Sequence, residues 1–153
     1  MEVISVILLE DTCQQAKKHE AKHQFRIEVV RSKLVVGLQT DQSVCMDIKA
    51  SPREVCGNVT QQHRQFVRKL ELVKQQGGRL IILVEENGIR TLEDVNRWSN
   101  PRLRFSPKAT TGETLFKILS AMEQRHGCQF LFCRKGEAGV KIVKVLGGGA
   151  FGI

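Results

Sequence analysis

Ser43-Val44-Cys45-Met46-Asp47-Ile48-Lys49, followed by Ala50-Ser51-Pro52-Arg53-Glu54, is the stretch from which the fold is best read. The alternation predicts a strand, with Val44, Met46 and Ile48 turned toward a core and Cys45, Asp47 and Lys49 turned away. A carboxylate and an ammonium then project side by side. Ser51-Pro52-Arg53-Glu54 has the marks of a helix start: Ser at the N-cap, Pro at the first position and Glu at the third. It brings a second carboxylate next to the strand end. Carboxylates that hold Mg²⁺, with a lysine that orients or activates water, are the parts a metal-dependent phosphodiesterase needs. The plainer reading is an exposed ion pair followed by an ordinary helix cap.

The neighbouring segments supply the sheet and its helices. Val3 to Leu9 is an apolar run suited to a buried strand, and Ile27 to Val36 is a second, β-branched strand. Gly37 to Gln42 has turn chemistry, so the stretch through Lys49 reads as a hairpin. The helix opened at Pro52 is expected to run to about Gln75, with Val55, Val59, Phe66, Leu70 and Val73 as its apolar stripe. Asn58, Gln61, Gln62, Gln65 and Arg68 lie beside that stripe and form a polar face suited to a phosphate backbone. Arg79 to Glu85 is a buried strand. Thr91 opens a short helix to Trp98, and a loop covers Ser99 to Thr110. Thr110-Thr111-Gly112-Glu113 reads as a capping box with Leu115, Ile118, Leu119 and Met122 behind it. Gln129 to Cys133 is a strand, and Glu137 to Leu146 a last helix. Strands alternating with helices predict an α/β fold, a mixed sheet with helices on both faces. One domain covers residues 1–146, and a Gly-rich tail covers 147–153.

The formal charge of +8 on 153 residues favours a polyanion as partner, nucleic acid before anionic membrane. The positive charge is clustered. Arg97, Arg102, Arg104 and Lys108 stand in a run without an acid, and Arg64, Arg68, Lys69, Lys74 and Arg79 form a second group. With no Tyr and one Trp, a stacking platform for single strands is disfavoured, although seven Phe are present. No apolar run has the length of a membrane span. The five Cys, at 13, 45, 56, 128 and 133, form no Cys-x-x-Cys pair, which speaks against a zinc knuckle or disulfide framework and for a reducing, cytoplasmic setting.

The order of motifs resembles the XPF-type nuclease domain, in the short form carried by phages and mobile elements of Gram-positive bacteria. The matching residues are a strand closing in Asp11-Thr12, then Val29-Val30-Arg31-Ser32-Lys33-Leu34-Val35-Val36-Gly37, then Asp47-Ile48-Lys49. After these come Gly57-Asn58-Val59-Thr60-Gln61-Gln62-His63, Trp98-Ser99-Asn100-Pro101-Arg102 and Pro107-Lys108-Ala109-Thr110-Thr111-Gly112-Glu113. The resemblance implies a restriction-endonuclease-like fold that cuts branched or flap DNA with Mg²⁺ or Mn²⁺. Asp47 takes the place of the family's catalytic Glu and Lys49 that of its Lys. Glu54 stands one residue beyond the motif's final acid, and Asp11 matches the acid closing the first strand. Asp47, Glu54 and Asp11 are thus the expected metal ligands, with Asp41 joining them only if the hairpin is re-registered. Arg31, Lys33, Gln62, Arg64, Arg68, Arg102, Arg104 and Lys108 are the expected DNA contacts, and a homodimer is the expected assembly. The chain departs from the family in two places. Cys13 stands where Arg is expected, and Leu38 follows Gly37 where the family has an Asp that binds metal. The alternative implied by these losses is a nuclease fold that binds DNA or protein without cutting.

Overall fold

A computed structural model describes residues 7–11, 28–32, 38–39, 44–75 and 77–147. The described strands form one mixed sheet in the order β2-β1-β3-β4-β5-β6. They are β1 (Ile7–Asp11), β2 (Glu28–Ser32), β3 (Leu38–Gln39), β4 (Val44–Lys49), β5 (Arg79–Glu85) and β6 (Gln129–Cys133). β1 and β2 are parallel, as are β4, β5 and β6, and β3 runs antiparallel between β1 and β4.

β5 shows how the sheet separates two cores. Its side chains point alternately to opposite faces. Leu80, Ile82 and Val84 join a cluster with Val55 and Val59 of α1 (Pro52–Val59), Phe66, Leu70 and Val73 of α2 (His63–Gln75), and Leu115, Leu119 and Met122 of α3 (Gly112–His126). Ile81 and Leu83 join Met46 and Ile48 of β4 and Ala138, Ile142 and Leu146 of α4 (Ala138–Gly147). The alternation read in β4 therefore holds. Met46 and Ile48 are core, while Asp47 and Lys49 face α1 and α2.

Two expectations about chain path are corrected. The strand bonded to β4 on its antiparallel side is the two-residue β3, within the segment given turn chemistry, whereas β2 pairs with β1. The helix expected from Pro52 to Gln75 is two helices, broken at Thr60–Gln62. There the Thr60 hydroxyl donates to the Cys56 carbonyl at 2.7 Å, and the Gln62 N–H donates five residues back to Gly57 at 3.0 Å. A side-chain bond to the preceding turn and a widened turn are both known helix-benders.

The cap of α3 is Thr111, not Thr110: its hydroxyl accepts from the Thr114 N–H at 3.2 Å. The loop before it contains two short 3₁₀ helices, Leu92–Arg97 and Pro101–Arg104. Buried Asn100 fixes that loop, donating to the Thr110 carbonyl at 2.9 Å and accepting from the Arg102 N–H at 3.0 Å. Cys56, Cys128 and Cys133 are buried free thiols. Burial, aided by Glu123, pushes the Cys128 thiol up to about 11. Cys133 is also raised to about 11, by burial and then by Glu85 and Glu137.

Candidate active site on strand β4

The site begins with a strand register that turns two charged side chains away from the apolar cluster around Met46 and Ile48. Asp47 is 3% exposed and Lys49 8%. An acid so deeply buried keeps its charge only if cations accompany it. Lys49 Nζ lies 3.2 Å from Asp47 Oδ2, and Lys69 Nζ of α2 lies 2.9 Å from the same oxygen. Burial pushes the Asp47 carboxyl upward, but the Lys49 and Lys69 charges and their hydrogen bonds outweigh it and hold the group below the usual carboxylate range.

Lys69 was not among the expected site residues. The signal was its position in the helix: three residues after Phe66 and four before Val73, on the flank of the buried stripe. A lysine there lays its stem along the helix and carries its charge toward the sheet.

Glu54 sits at the third position of α1, as expected. Its N–H donates to Ser51 Oγ at 3.3 Å, and its Oε2 accepts from the Ala50 N–H at 3.0 Å. The cap therefore employs this carboxylate directly after the strand that holds Asp47. Asp11 ends β1. Leu9, Gln39 and Cys45 form one cross-strand row, and β1 and β4 run in the same direction. Two residues further along each strand, the Asp11 and Asp47 backbones share a row two strand spacings apart, about 9.6 Å. The described residues of β3, the strand between β1 and β4, are Leu38 and Gln39, and neither is a carboxylate. Asp41 and Lys33 lie outside the described residues, and Arg31 stands in β2 at the register position of Glu10.

Among the described residues no three His, Cys, Asp or Glu gather into a metal cluster. Mg²⁺ often uses one or two carboxylates and keeps its waters. Asp47 fits such a lightly held ion on one condition, that Lys69 gives way, because two ammoniums already balance its charge. The Lys69 side chain is 36% exposed, so its stem reaches water without opening the core.

The expected DNA contacts fall in two exposed groups. Gln62, Arg64 and Arg68 lie at the break and along the outer side of α2, and Arg102, Arg104 and Lys108 lie on the loop before α3. Arg97 is paired with Asp94 and is not part of either group. No helix among the described residues is long and apolar enough to cross a membrane.

No protein-family model matches the sequence, and no curated protein matches it. A match comes from solved structures: XPF from Aeropyrum pernix is similar with a TM-score of 0.64 at 11% sequence identity, over 91% of this chain and 63% of that one. At such identity the likeness concerns the fold, and the chain spans less than two thirds of that relative. The strand order and the crossovers that bury β5 thus belong to a chain with a fold like that of XPF.

Proposed function

We propose that the chain is a metal-dependent endonuclease that cuts phosphodiester bonds in branched or flap DNA, on a restriction-endonuclease-like sheet flanked by helices on both faces. The observation that carries this reading is the buried, ionised Asp47 with Lys49 beside it at the end of β4, on a fold shared with XPF. Lys49 would hold the attacking water or the phosphate it attacks. Asp47 and Glu54, with Asp11 in the same sheet row, would hold Mg²⁺ or Mn²⁺. When bound, the ion supplies charge stabilisation at the phosphoryl oxygens. The arginines of α2 and of the loop before α3 hold DNA by its phosphates, which gives affinity without sequence choice. A homodimer is the assembly expected of this type, and sedimentation at micromolar concentration tests it.

The test is cleavage of flap, fork, nicked and linear DNA in Mg²⁺ and in Mn²⁺. Wild-type protein is expected to cut a branched substrate. Asp47→Asn and Lys49→Ala should each lower the rate by about 10²-fold or more while DNA binding persists. Unchanged cutting by both variants would overturn the assignment.

A second reading is favoured by β3, which lacks an acid, and by Lys69 on Asp47: a nuclease fold that binds DNA or protein without cutting. Its signature is salt-dependent DNA binding with no cleavage of any substrate in the panel. Lys69 also makes a prediction of its own. Lys69→Met removes a like charge beside the ion's seat, so Mn²⁺ should bind about tenfold tighter by calorimetry or paramagnetic resonance. Equal affinity in the two proteins would show that Lys69 does not compete with the ion.

A further inference from the structure

A cavity of about 410 Å³ lies between α1 and the loop of residues 100–110. Arg53, Arg102 and Lys108 line it, together with Thr60 and Ser106, and no Asp or Glu is among its lining residues. Gly57 forms part of its wall, and a Cβ built there meets nothing within 4 Å. Three cations of like sign around one space repel each other unless an anion enters. Their arrangement is built in advance, because buried Asn100 ties the loop at Arg102 and again at Thr110. Next to Ser106 stands Phe105, which is 89% exposed. A large ring left in water one residue along the chain from a lining residue of a cationic space is the kind of surface on which an unpaired base stacks.

We propose that the cavity and Phe105 together hold one unpaired nucleotide of a DNA strand, its phosphate in the cavity and its base on the Phe105 ring. A base in a duplex is already stacked on both sides and cannot use the ring. The site therefore selects single-stranded over double-stranded DNA, whereas the arginines of α2 do not discriminate. The proposal rests on the reading of the chain as acting on DNA, and it goes further by assigning the single-stranded part of the substrate to a place on the molecule.

The experiment measures binding by fluorescence anisotropy, in EDTA so that no cutting intrudes, with a short single-stranded DNA and with the duplex of the same sequence. Wild-type protein is expected to prefer the single strand. Phe105→Ala should weaken single-strand binding about tenfold and leave duplex binding unchanged. Gly57→Leu adds bulk at the open wall without altering charge, its Cβ meeting no atom within 4 Å, and it should have the same selective effect. Equal loss on single strand and duplex, or no loss in either variant, overturns the proposal. The same preparations are then assayed for cleavage. Selective binding without cutting of any substrate sinks only the endonuclease reading, while cutting by a protein insensitive to both substitutions sinks only the nucleotide site.

Discussion

Asp47→Ala is expected to destabilise the protein by about 3–5 kcal/mol, the usual consequence of removing one partner from a buried ion pair. The cause is the cation left behind. Lys69 is partly exposed and can return its charge to water, but Lys49 is buried and cannot. Lys49→Met removes that charge, keeps an apolar side chain of similar length and leaves Asp47 its bond to Lys69. Its cost should be much smaller, under about 1.5 kcal/mol. Urea denaturation of the two variants provides the comparison. Equal losses would show that the stranded ammonium is not the source of the effect. The pH dependence follows with a definite sign. Asp47 is held below the ordinary carboxylate range in the folded chain. The stabilisation from its charge is therefore complete above the unfolded value, near 3.9, and is lost as pH falls through the lower folded value. Wild-type protein should lose stability more steeply on acidification than Asp47→Asn, which has no such proton to take up.

The second large effect is expected at Gly112, the first residue of α3. A Cβ there would lie 2.5 Å from the Val95 carbonyl oxygen, closer still to that of Trp98, and 3.1 Å from that of Asn96. All three are backbone atoms, so no rotamer change relieves the contact. Gly112→Ala should cost about 3 kcal/mol, the upper part of the range for overpacking, despite the better helix propensity of Ala. The 3₁₀ helix Leu92–Arg97 would have to move away from α3, and the loop bearing Arg102 and Lys108 would move with it. A lowered melting temperature should therefore come with weaker DNA binding. Wild-type stability in Gly112→Ala would refute this account of the packing.

Much of the central architecture was legible because β4 is long enough for side-chain alternation to show, β5 and β6 are short apolar runs of strand length, and the stripe of Val55, Val59, Phe66, Leu70 and Val73 is buried as its spacing requires. The Ser51–Glu54 cap was legible because capping is local chemistry. β3 was not, since a pair of residues has no period, and its partners are chosen by the strands on either side. The break at Thr60–Gln62 was hidden because the apolar stripe continues across it. Half of the candidate site, Asp47 with Lys49, follows from two neighbouring positions on one strand. Lys69 is 22 residues away from Asp47 in the chain, and only the docking of α2 on β5 brings its ammonium to that carboxylate. A tertiary ion pair of this kind leaves no local pattern to read.

The buried cysteines have a kinetic consequence. Thiol exchange and oxidation proceed through the thiolate, and a thiol raised to about 11 is ionised to about one part in ten thousand at pH 7. Cys128 and Cys133 are thus slow to react through their thiolates in the folded chain. Packing slows their oxidation, a kinetic effect distinct from the equilibrium that the surrounding redox poise sets.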